Sequence, residues 1–171
     1  MIKNKKLLTT YKGNNMKDLY KQSVLNIRDK LLKEVSMINE LSNDKPDWTI
    51  PHPIVDSSPK SKGYSVWKSI GVYRIIHKPT NQIVSIGCGN IAARKYRHKS
   101  VHLNKGKTLI SKNGSPSPSM TGMHMYKMDK DINNWWFSWT HIGSKSLAEQ
   151  YEILLQNKMK PLFNNLSMAG K

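Results

Sequence analysis

Two β-rich runs, Val72–His77 and Gln82–Cys88, are separated only by Lys78-Pro79-Thr80-Asn81. A connection this short admits an antiparallel hairpin, and Pro79 suits the type I turn around which four-residue loops are commonly built. The rest of the chain must then cover the hairpin's apolar surface. Asn90 has the short acceptor side chain of an N-cap and precedes a helix expected from Ile91 to about Val101. Trp135–Ile142 (WWFSWTHI) has the aromatic and β-branched composition of a third strand, with Trp135, Trp136 and Trp139 expected in the core. Ser146–Met159 reads as a final helix that Lys160-Pro161 ends. The expected fold class is α+β: a small three-stranded antiparallel sheet flanked by helices, in the order β-β-α-β-α.

Other segments extend this core. Residues 1–15 are polar and basic and are expected to form a loosely ordered arm. From Met16 to about Leu41, apolar residues (Leu19, Val24, Ile27, Leu31, Val35, Ile38, Leu41) recur at helical spacing, which predicts an amphipathic helix whose apolar face is half of a core, with a partner-binding helix as the alternative. Asn43–Gly63 carries four prolines among Ser and Asp and reads as an extended linker. Leu103–Asn134 is polar and rich in Gly, Ser, Pro and Lys, a long insertion of the kind that is usually functional or disordered. The expected division is an N-terminal arm, helix and linker at 1–68 and the sheet-bearing domain at 69–171, with the insertion at 103–134.

Charge then narrows the partners. The net charge is +17, and no carboxylate lies between Asp56 and Asp129, whereas 13 Lys and Arg do. A solvated face normally mixes both signs. A long stretch of one sign suits a phosphate-tracking surface, where each neutralised phosphate releases counterions. Lys95, Arg97, Lys99, Lys105, Lys107 and Lys112 are the candidate nucleic-acid contacts within it. No apolar run approaches the roughly 20 residues that span a bilayer, and the basic N-terminus lacks the apolar stretch of a secretory signal. One cysteine, Cys88, excludes a disulfide framework and a Cys-rich zinc site. A reducing, cytoplasmic setting is expected, in a bacterial or phage-infected cell.

Five elements, in order, carry a family resemblance. Gly71-Val72-Tyr73 is followed after 11 residues by Ser85-Ile86-Gly87; Arg94 and His98 sit four apart on the next helix; Glu149 lies on the last helix; Asn164 stands 15 residues beyond it. Together they resemble the GIY-YIG nucleases over roughly Ser69–Asn165. The layout, without a separate DNA-binding tail after the nuclease unit, is similar to that of the small restriction endonucleases of the family. The second signature usually begins with Tyr and here begins with Ser85, a shorter hydroxyl; Tyr96 on the helix offers a substitute phenol.

The resemblance implies a metal-dependent DNA endonuclease, with alternatives in a homing-type or phage-encoded nuclease and in an inactive nucleic-acid-binding module. It implies Tyr73 as general base or water-positioning group, Arg94 as the cation at the phosphate, and His98 as acceptor or holder of the Tyr73 proton. Glu149 would ligate one magnesium ion, with manganese as substitute, and Asn164 would hold the site together. These residue types suit the chemistry, because phosphodiester hydrolysis needs an activated water and charge neutralisation at the phosphoryl and leaving oxygens. Ser146-Leu147-Ala148-Glu149 also reads as a capping box, so Glu149 either holds the metal or caps its helix. Glu152 is the second candidate ligand, although its spacing to Asn164 departs from the pattern. One active site cuts one strand, so cleavage of double-stranded DNA implies a homodimer or sequential nicking.

Overall fold

The computed structural model describes residues 18–30, 32, 47–111 and 113–164. The chain divides into two compact units, Met1–Asp44 and Lys45–Lys171. In the first, residues 18–30 form helix α1, within the expected span from Met16 to about Leu41; apart from residue 32, the rest of that span lies outside the described residues. Leu19, Val24 and Ile27 on it are exposed rather than part of a core. The arm at 1–15 lies outside the described residues.

In the second unit the hairpin forms where expected. Strand β2 (Ile70–His77) runs antiparallel to β3 (Gln82–Asn90), and Lys78–Thr80 make a single 3-10 turn with Asn81 in the left-handed region at φ 52°. Helix α2 (Ile91–Leu103) follows at once, its first turn capped by Asn90, whose side-chain oxygen accepts from the Ala93 amide at 2.9 Å. Strand β6 (Trp135–His141) pairs with the other edge of β2, with Tyr73 opposite Trp139 and Ile75 opposite Phe137. Helix α4 (Lys145–Met159) closes the unit, and Lys160, at φ 45°, ends it before Pro161.

The sheet is not three-stranded. Residues His52–Pro53 form a short strand β1 on the outer edge of β6, giving the order β1-β6-β2-β3, antiparallel throughout. Proline suits this position because an edge strand can leave one amide side unpaired. The flanking residues extend the contact: Thr49 donates its amide to the Trp139 carbonyl at 2.9 Å, and Ile54 donates to that of Trp135 at 2.8 Å. Ile54 and Val66 belong to the hydrophobic core. The compact units divide between Asp44 and Lys45, and much of the Pro-rich stretch is built into the sheet's own unit.

The insertion is likewise structured. It holds a small hairpin, β4 (Leu109–Ile110) with β5 (Pro116–Ser117), then helix α3 (Met120–Met128) and a 3-10 turn at Ile132–Asn134. Met125 of α3 is fully buried in a core with Tyr73, Ile75, Val84, Ile91, Trp135, Phe137 and Trp139. Trp135 and Trp139 are thus core residues, as expected, whereas Trp136 is only half-buried and carries the Lys78 ammonium 4.9 Å from its ring centroid. Strand periodicity explains the split, since residues two apart on β6 share a face. Helix α4 packs on β2 and β3 and buries Leu147, Ala148, Tyr151 and Leu155, none of which belongs to that core. No helix among the described residues is long and apolar enough to cross a membrane.

Candidate active site

Tyr73 lies on the central strand directly across from Gly87. A Cβ added at Gly87 would come within 2.3 Å of the Tyr73 hydroxyl and 2.5 Å of its ring carbon, so the phenol lies over the space that only glycine leaves. On the neighbouring strand, Phe137 stacks on the Tyr73 ring at 5.4 Å and 17°. Gly71 plays a different steric part: its Cβ would meet the Thr140 carbonyl at 2.0 Å, so glycine there permits the close approach of β2 and β6. The glycines of both signatures thus have separate steric reasons.

Helix α2 brings His98 onto the phenol, with Nε2 2.7 Å from the Tyr73 hydroxyl. The other ring nitrogen, Nδ1, lies 2.7 Å from Ser119 Oγ, which also accepts the Gly122 amide at 3.0 Å as the N-cap of α3. With its proton on Nδ1, His98 donates to Ser119 and receives the Tyr73 hydroxyl at Nε2. Burial holds the imidazole neutral, lowering its pKa to about 3, and the nearby Arg94 and Arg97 charges act in the same direction. Burial also pushes the Tyr73 hydroxyl above its ordinary value; Arg94 opposes that shift and Glu152 adds to it. A phenol so placed does not ionise freely at neutral pH, but it rests against a neutral acceptor.

Tyr73 opens into a cavity of about 150 Å³ shared with Ser85, Cys88, Arg94, Thr121, Glu152 and Asn164. Arg94 donates its Nε to the Cys88 carbonyl at 3.1 Å, which fixes the half-buried guanidinium at the β3–α2 junction. Asn164 acts as a side-chain strand on the open edge of β3: its Oδ1 accepts the Ile86 amide and its Nδ2 donates to the Ile86 carbonyl, both at 2.9 Å. Gln156 donates to the same carbonyl at 3.0 Å and to Glu152 Oε1 at 2.7 Å, which orients that carboxylate. Burial, followed by a hydrogen bond with Glu152, pushes the Cys88 thiol up to about 12, so Cys88 is no nucleophile.

Tyr73, Ser85, Arg94, His98 and Asn164 therefore come together as the sequence predicts. Glu149 does not join them. Its carboxylate is exposed and lies 3.7 Å from Lys145, while Glu152, one turn later, lines the cavity. The capping box is absent too, because the N-cap is Ser144, whose hydroxyl accepts the Leu147 amide at 3.4 Å, and Ser146 lies inside the helix. Tyr96 offers no substitute phenol, since it lines a different cavity.

Of the candidate DNA contacts, Lys95 is buried, and its ammonium donates to the Asp56 carbonyl, to Ser58 Oγ at 2.8 Å and to His52 Nε2 at 3.2 Å. Those partners use its three protons, so Lys95 pins a loop rather than reaching a phosphate. Arg97 and Lys99 are half-buried, Lys105 and Lys107 are exposed, and Lys112 lies outside the described residues. Among the described residues no group of three or more His, Cys, Asp and Glu is arranged to hold a metal, so a metal site here would rest on Glu152 with water and substrate oxygens.

Sequence reasoning missed Ser119, Thr121 and Gln156. Ser119 carried a readable signal, a hydroxyl residue ahead of the helix-forming run Met120–Met128, but Gly122 and the Ser/Pro-rich approach masked it. Comparison with protein-family models, with curated proteins and with solved structures finds no match for this chain.

Proposed function

We propose that this chain is a metal-dependent DNA endonuclease that hydrolyses phosphodiester bonds, with sequence-specific, restriction-type cleavage of both strands by a homodimer. The observation that carries the reading is the Tyr73 hydroxyl held 2.7 Å from a neutral His98 at the mouth of a cavity that also holds Arg94 and Glu152. Tyr73, whose hydroxyl donates to His98 Nε2, orients the attacking water through its oxygen, and the water's proton passes to solvent. The water oxygen bonds to phosphorus, the phosphorus–leaving-oxygen bond breaks, and the leaving alkoxide is protonated from solvent. Arg94 pairs with the phosphoryl oxygens. With Arg97 it also keeps His98 neutral, an acceptor for the Tyr73 hydroxyl.

Glu152 fits one divalent ion, magnesium or manganese: it is a carboxylate in a polar cavity with one oxygen already oriented by Gln156. When bound, such an ion would supply positive charge to offset that developing on the phosphate and the leaving oxygen. Glu152 replaces Glu149 as the proposed ligand because of its place in the cavity.

The test is cleavage of plasmid and phage DNA in magnesium by wild type, Glu152→Gln and Glu149→Gln. Discrete fragments are expected from wild type and Glu149→Gln, with a loss of roughly a hundredfold or more in Glu152→Gln while DNA binding persists. A smear would remove sequence specificity from the reading. Absence of cleavage by wild type, or full activity in Glu152→Gln, would overturn the catalytic assignment.

A further inference from the structure

The opposite side of α2 borders a second, larger cavity of about 360 Å³. Arg94 and His98 face the catalytic group, whereas Ala92, Lys95, Tyr96 and Lys99, spaced at i, i+3, i+4 and i+7, form one stripe along this cavity. The facing wall is the loop from Ile54 to Trp67.

Two large aromatic side chains on the rim are exposed against the usual tendency: Trp67 is 76% and Tyr96 65% accessible. Lys60 and Lys99 add positive charge, and Ser57, Ser58 and Ser65 add hydroxyls. The interior is shaped by the hydrogen bonds from Lys95 to Asp56, Ser58 and His52, which tie the loop to the helix. Exposed aromatic faces beside lysines make a base-stacking, phosphate-attracting site, and the volume falls in the usual small-ligand range of roughly 300–1,000 Å³. A paired base cannot reach a concave site between aromatic faces; an unpaired one can.

We propose that this cavity takes a single unpaired nucleotide of the DNA substrate, its base against Trp67 and Tyr96 and its phosphate near Lys60 and Lys99. The proposal rests on the reading of the chain as DNA-acting but not on catalysis, since none of these residues lies in the catalytic cavity. Such a site would let the enzyme prefer or create an extruded nucleotide beside the bond it cuts.

The experiment is fluorescence anisotropy of labelled duplexes in EDTA, one fully paired and one carrying a single unpaired nucleotide. Wild type is expected to bind the unpaired form roughly tenfold more tightly, within the range that one stacked base contributes. The Trp67→Ala/Tyr96→Ala variant should lose that preference and keep its affinity for the paired duplex. Trp67→Leu, which keeps apolar bulk without an aromatic face, should lose most of the preference and guards against misfolding of the double variant. Equal binding of both duplexes by wild type, or an unchanged preference in the variants, would overturn the subsite and leave the nuclease reading standing. No DNA binding at all would overturn both. A preference that needs Trp67 in a protein that never cleaves would support the subsite and sink the nuclease.

Discussion

The two cavities on either side of α2 draw on the same basic helix and use it in opposite ways. On one side His98 is sealed at 4% exposure between Tyr73 and Ser119, and burial strips its charge. On the other, Lys95 is also buried, but the Asp56 carbonyl, Ser58 and His52 satisfy its ammonium. The first arrangement makes a neutral hydrogen-bond acceptor and the second a mechanical tie. Position on the helix thus decides role more than residue chemistry does, because a hydrogen-bonded partner determines whether a buried basic group acts or merely holds.

That contrast can be broken most severely at the phenol. Tyr73→Phe removes the hydroxyl that links water to His98 and should lower single-turnover DNA cleavage by roughly a thousandfold, the middle of the range for a lost acid–base group. Binding of the duplex with an unpaired nucleotide should be unchanged. Loss of that binding as well would mean that the two cavities are not independent.

Lys95→Met tests the other side. It leaves the oxygens of the 54–67 wall without their donor and should cost roughly 1–2 kcal/mol in urea denaturation. The wild type should also show a pH signature. Burial lowers the Lys95 pKa from 10.5 to about 8, so between those values the unfolded chain holds a proton that the folded chain has released. Stability should therefore gain a contribution as pH rises from about 8 towards 10.5, and Lys95→Met should abolish that contribution. An identical pH profile in the variant would remove Lys95 as its source.

Ser119→Ala should have the smallest effect. Loss of the α3 N-cap costs about 1 kcal/mol, and without its Nδ1 partner His98 is less well oriented. Cleavage should fall by roughly tenfold at most, far less than in Tyr73→Phe. A loss as large as that of Tyr73→Phe would make Ser119 part of the acid–base machinery rather than a positioning residue.

The readable parts of the chain were those with local causes. The Lys78–Asn81 connection, the Asn90 cap, the aromatic run at Trp135 and the stop at Lys160-Pro161 all act through neighbours a few residues away, and each element formed where it was expected. The misses depend on distant partners. Strand β1 exists because β6 offers it a free edge, and a proline-rich stretch gives no local sign of that. Glu149 and Glu152 sit one turn apart on the same helix, so only the way α4 packs on β2 and β3 decides which carboxylate reaches the cavity.

The amino-acid order by itself therefore determined the main hairpin, helices α2 and α4, strand β6, the positive charge and the residues able to meet around Tyr73, since turn chemistry, periodicity and charge are properties of short segments. Tertiary structure alone decided that Glu152 replaces Glu149 in the cavity, that Ser119 completes a chain of contacts to His98, and that Lys95 is tied down while Tyr96 is left exposed. Those outcomes depend on which side chains lose their water and which find a partner from the far end of the chain, and both are settled by packing.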